Sequence, residues 1–158
     1  MAIKTKSVQG RREINYLTLD DIVADAERLV ASSRTRTLGN WPLAQLLSHL
    51  AMTVNCSVDG FPQKAPLIVR LIGPLLKGKM ISRKMSPGLT LPKKAEVGAF
   101  PDVASVSAAF ENLRRAIART KSERMEAAHP AFGRMNHDEW TKLHLRHSEM
   151  HLSFAVPE

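Results

Sequence analysis

A single cysteine, Cys56, leaves this 158-residue chain without an intramolecular disulfide framework, and such a composition suits a reducing compartment. No apolar run approaches the roughly 20 residues that span a bilayer. The basic N-terminal stretch MAIKTKSVQGRREINYL has neither an apolar core nor a small-residue cleavage site, so no signal peptide is read there. Together these absences point to the cytoplasm. Strand-like alternation, internal repeats and low-complexity tracts are also missing, which leaves helices as the organising element. The length fits a single domain over 1–158 with one sizeable core, residues 1–17 forming an N-terminal extension.

Positive charge is plentiful but local. Residues 60–100 hold eight basic side chains (Lys64, Arg70, Lys77, Lys79, Arg83, Lys84, Lys93 and Lys94) against one acid, Glu96. That is +7 of the formal +8, so the remainder of the chain is close to neutral. The segment lacks the interleaved aromatics of a base-stacking platform and any zinc-finger spacing, so nucleic acid is not the expected partner. A solvated face or an anion-attracting rim fits it better. The stretch PLIVRLIGPLLKGKMISRK is apolar and flanked by cations, but Gly73-Pro74 interrupts any long amphipathic face, so a membrane is not the expected partner either.

Four segments have helical periodicity. The first begins at Thr18, with Asp21 three residues on, and places Ile22, Val23, Ala26, Leu29 and Val30 on one face before Ser32 and Ser33. The second is expected to start at Asn40 as N-cap with Pro42 in the first turn; Leu43, Leu46, Leu47, Leu50 and Val54 form its stripe, and Gly60 stops it. The third follows Pro101 and Asp102, with Val103, Val106, Phe110, Leu113 and Ile117 aligned. The fourth opens at Asn136, with Glu139 three residues later, and runs through Trp140, Leu143, His147, Met150, His151 and Phe154 towards Pro157. Four amphipathic helices without strands predict an all-α four-helix bundle. Between the second and third lies a long, basic crossover with six of the nine prolines. In it, 66–79 reads as a short helix broken at Gly73-Pro74, and 86–102 as extended chain. A connection of that length is usually functional or covering.

The histidines carry the chemistry. His147 and His151 are four apart on one helix face, a spacing that lets two imidazoles converge on one metal ion. They interrupt the apolar stripe, where both nitrogens of each ring need partners. A satisfied core pair is the competing reading. His49 falls beside the second helix's stripe, on a flank with Gln45, Met52, Thr53 and Cys56; its position makes it a wall of the interior, not in itself a ligand. His144, one turn before His147, is a candidate donor to the ligands or to a substrate, or a substitute ligand. His129, in the loop AAHPAFG, could fold over the site. Cys56 reads as a small buried hydrophobe, with a soft metal ligand or a reactive thiol as alternatives, and His137 as a surface or capping residue. Glu149 points away from the pair's face and is not cast as a base.

Six stretches together resemble the DinB-like superfamily, in particular a branch of uncharacterised single-domain members. They are NWPLAQLLSHL at 40–50, CSVDGFP at 56–62, LIGPLLKGKM at 71–80, MSPGLTLPK at 85–93, HPAFGRMNHDEW at 129–140 and KLHLRHSEMHLSF at 142–154. The resemblance implies a four-helix bundle, commonly dimeric, with a divalent metal on three histidines. One comes from the second helix and two from the last: here His49, His147 and His151. Many relatives carry a further histidine just before the final ligand, where this chain has Met150. Zinc or nickel is the metal most expected, with open positions for water or substrate. The implied activity is a metal-dependent transferase activating a low-molecular-weight thiol for a small-molecule substrate. The alternative is a non-catalytic, metal-stabilised bundle acting in dimerisation or partner binding.

Overall fold

The structure is a computed structural model and describes residues 3–88 and 105–158. Among the described residues there are five α-helices: α1 (Leu19–Ala31), α2 (Leu43–Asp59), α3 (Leu67–Ser82), α4 (Val106–Arg119) and α5 (His137–Leu152). A short antiparallel ribbon pairs β1 (Thr35–Thr37) with β2 (Ala155–Pro157), Arg36 opposite Val156. The chain is mostly helical, and the ribbon corrects the expectation that no strand forms. It is three residues long on each side, too short for alternation to register in the sequence.

Two helix starts follow their sequence signals closely. At α1 the Thr18 hydroxyl accepts from the Asp21 N–H, and the Asp21 carboxylate accepts from the Thr18 N–H at 2.8 Å. At α5, Asn136 and Glu139 make the same reciprocal pair at 2.9 and 3.0 Å. Each box satisfies two otherwise orphaned donors. Asn40 was expected to cap α2 and does not. The cap is Pro42, and the Asn40 amide instead bonds both polar atoms of the Ile3 backbone, at 2.6 and 2.9 Å. A local contest between the cap and a partner 37 residues away was decided by tertiary structure.

The expected break at Gly73-Pro74 is also corrected: α3 runs through it. Proline removes the bond to the Arg70 carbonyl, but both residues are exposed, so water can take the freed acceptor. Gly73 is kept small for another reason. A Cβ there would collide with the carbonyl oxygen of Ala131, so the loop before α5 packs directly on the α3 backbone. The start of α4 is Ser105, whose hydroxyl accepts from the Ala108 N–H at 3.1 Å. Val103 and most of the expected extended crossover, residues 89–104, lie outside the described residues. Phe154 follows the end of α5 and is not part of its helical stripe.

The main core joins α1, α2 and α4 through Ile22, Leu29, Leu47, Leu50, Leu113 and Ile117, with α5 adding Leu145 and Leu152. A second cluster, Met125, Met135, Trp140 and Leu143, sits under α3 and the loop before α5. The N-terminal segment is stitched to α1 and to the C-terminal end of α5. Arg12 makes a two-pronged pair with buried Asp25 at 2.7 and 2.9 Å and also reaches the Ala155 carbonyl. The Tyr16 hydroxyl donates to Asp25, and its N–H donates to Glu149. Such charge-assisted bonds are the strong ones, and their effect is to clamp residues 11–16 over the C-terminal end of α5.

Candidate metal centre

α2 and the last turns of α5 bring together three imidazoles. His49 and His151 are buried and His147 is half-buried. The Nε2 atoms of His147 and His151 are 3.0 Å apart, and those of His147 and His49 are 3.4 Å apart. One ring nitrogen from each histidine lies within 4.8 Å of the other two. With metal–nitrogen bonds of about 2.05 Å, tetrahedral geometry sets neighbouring ligand nitrogens about 3.3 Å apart. The two spacings to His147 bracket that value.

Electrostatics push the rings towards the form a metal needs. Burial foremost, then His49 and Arg11, lowers the pKa of His151 to about 3. Burial likewise holds His147 well below its ordinary value, assisted by His151, His49, His144 and His129. Rings kept neutral offer lone pairs, not charge. Three nitrogens converge on one small volume, and a cation at their centre can accept a lone pair from each.

Ring orientation is set by an aromatic neighbour that the sequence reading passed over. Trp41 stacks on His151 with centroids 5.1 Å apart and planes 13° from parallel, and meets His49 edge-on at 5.3 Å. Its place just before the Pro42 cap puts it at the N-terminal end of α2, beside the C-terminal end of α5. Arg11 is the other unforeseen neighbour. Its guanidinium is fixed by the Ser153 hydroxyl at 2.7 and 3.0 Å and lies 4.3 Å over the Phe154 ring.

The remaining candidates lie elsewhere. His144 stacks on Trp140 at 5.3 Å and is 2% exposed; its Nε2 has no hydrogen-bond partner among the described residues. Burial, then His129, lowers its pKa to about 3. His129 belongs to the same aromatic layer, stacked on Phe132 at 4.3 Å, with Nδ1 accepting from the N–H groups of Ala131 and Phe132 at 3.0 Å. Cys56 is not among the donors gathered at the three histidines. It faces a groove of about 540 Å³ between α2 and α4, its thiol 3.7 Å from the Met52 sulfur and its pKa raised by burial and Asp59. His137 accepts from the Met125 N–H at 3.1 Å, a structural bond. Glu149 is buried and bonded to Arg146 and to the Tyr16 backbone.

A family model described as a protein of unknown function (DUF1569) matches residues 8–158. The chain belongs to the DUF1569 family. No curated protein and no solved structure matches it. The DUF1569 match takes in all three histidines, Trp41 and the clamp from Arg11 to Tyr16, so the site and the segment that closes over it fall within one family unit.

Proposed function

We propose that this DUF1569 protein is a DinB-like four-helix bundle in which His49, His147 and His151 hold one divalent metal, zinc or nickel foremost. We further propose that the centre serves a transferase that activates a small thiol. The observation that carries the reading is the convergence of three Nε2 atoms, 3.0 and 3.4 Å apart, from two helices. The bundle reading is supported by α1, α2, α4 and α5 sharing the main core, with α3 packed outside on α5. A divalent ion held by three neutral imidazoles supplies Lewis acidity and lowers the pKa of a bound thiol or water.

The chain's own residues provide the rest. Trp41 holds the plane of His151, and burial keeps the His147 and His151 rings neutral, each with one nitrogen lone pair to offer. Arg11, whose charge reaches His151, adds a fixed positive potential that suits an anionic thiol or substrate. A second reading, a structural metal, is favoured by one fact: the cluster joins α2 to α5 across 98 residues of chain. Metal binding energy would then be folding energy.

The test is the metal content of the purified chain, its melting temperature with and without chelator, and its rate of thiol conjugation to a small electrophile. One metal per chain together with metal-dependent conjugation is expected. A chain that takes up no divalent metal sinks both readings. One metal per chain, a large fall in melting temperature on chelation and no conjugation would leave only the structural reading.

A further inference from the structure

The apolar surface of this protein is unevenly spread. Of the nine large hydrophobic side chains that are exposed among the described residues, seven lie within ten positions of α3: Leu67, Ile68, Val69, Leu71, Ile72, Leu75 and Leu76, between 41% and 84% exposed. Monomeric proteins rarely leave contiguous apolar patches beyond a few hundred Å². An amphipathic helix docked on its own domain would bury these residues. α3 instead rests on its neighbours through Gly73 and its later turns, where Lys77 pairs with Glu139 at 2.7 Å and Ile81 joins the second cluster.

Charge and shape together say what covers this end. Residues 60–88 contain six cations and no acid. Lys64, Arg70, Lys79, Arg83 and Lys84 are exposed and make no ion pair among the described residues. A two-fold pairing of α3 with a second copy would bring two such unneutralised sets together. A groove-binding protein partner reads one stripe at helical spacing. Here the seven exposed aliphatics fan over an arc of about 200° at about 100° per residue, opposite the side that carries Gly73, Lys77 and Ile81 and wider than one such stripe. A helix with so broad an exposed apolar face and with unpaired cations beside it fits a medium that receives the whole face and is negatively charged at its surface. No helix among the described residues is long and apolar enough to cross a membrane.

We propose that the first half of α3 is an interfacial anchor that inserts Leu67–Leu76 into the surface of an anionic lipid bilayer, with Arg70, Lys79, Arg83 and Lys84 against the headgroups. The long aliphatic stems of these cations can lie along apolar surface while their charges stay with the lipid phosphates. Docking this way leaves the three histidines on the body of the protein.

Flotation of the full chain with vesicles tests this, comparing phosphatidylcholine alone with phosphatidylcholine containing phosphatidylglycerol. Binding to the anionic vesicles at low salt, weakened roughly tenfold or more by high salt and by the charge reversal Lys79→Glu/Arg83→Glu, is expected. The variant Leu71→Ser/Leu75→Ser keeps every cation and alters only exposed side chains, so its melting temperature should match wild type while its binding falls about tenfold or more. Three results would overturn the proposal. One is no binding to anionic vesicles at low salt. Another is undiminished binding by the leucine variant, which would reduce the effect to charge alone. The third is a wild-type dimer in solution that the leucine variant converts to monomer, which would assign the face to a second copy.

Discussion

The two ends of α5 put the same residue type to opposite uses. Towards its start, His137 accepts the Met125 N–H, and His144 stacks under Trp140 in a layer with His129, Phe132 and Phe61. Towards its end, His147 and His151 turn their Nε2 atoms on each other and on His49. Both neighbourhoods are buried and both hold rings whose pKa is lowered by desolvation. Burial and depressed pKa therefore do not separate a structural histidine from a ligand. What separates them is where the lone pairs go. His129 spends Nδ1 on two backbone N–H groups, whereas the three Nε2 atoms of the other group share one small volume.

The sharpest break in that comparison is a pair of substitutions. His147→Ala should reduce metal content, measured by elemental analysis, from one per chain to near zero, because two remaining imidazoles make a poor site. His129→Ala should leave metal content unchanged but lower stability by about 2–4 kcal/mol in urea unfolding, through two lost backbone acceptances and the Phe132 stack. If His129→Ala loses metal as fully as His147→Ala, the division of roles along α5 is wrong.

Acid provides a finer cut. In the folded protein His129 protonates at about 4, because burial disfavours the imidazolium; in the unfolded chain it does so near the ordinary 6.5. Between those values the unfolded chain binds the extra proton, so stability rises with pH. The contribution is fully present above pH 6.5 and lost as pH falls through 4, on the order of 3 kcal/mol in all. His129→Asn keeps an acceptor near the Nδ1 position and cannot titrate in this range. Unfolding followed with chelator present should show a shallower acid loss in His129→Asn than in wild type. Equal slopes would locate the acid sensitivity in other groups.

Much of this was legible in the sequence where the cause is local. The Thr18–Asp21 and Asn136–Glu139 boxes, the Gly60 stop at φ 96° and the apolar stripes of α1, α2 and α4 depend on neighbours within a few residues. The i, i+4 spacing of His147 and His151 is local too, whereas His49 was reached only through the resemblance. What failed depends on distant partners. Asn40 was drawn to Ile3, Gly73 to Ala131, and Pro157 to Thr35 in a ribbon. The clamp of Arg11, Arg12 and Tyr16 on the end of α5 left no trace in composition or periodicity, because each bond spans a large part of the chain or joins side chains of unremarkable spacing.

Trp41 offers the smallest and most discriminating change. It precedes α2, has no ligand atom, and still touches two of the three histidines. Its stack on His151 restricts ring rotation, so a metal arriving at the site meets one imidazole already aimed and loses less entropy in ordering it. Trp41→Ala should therefore leave the stoichiometry at one metal per chain while weakening affinity about tenfold, in the range found when groups that orient metal ligands are removed. Trp41→Phe, which retains a stacking face, should recover most of that loss. Competition with a chromophoric chelator measures both. An unchanged affinity in Trp41→Ala would mean that the helix backbones alone aim the three rings, and that the stack is packing and nothing more.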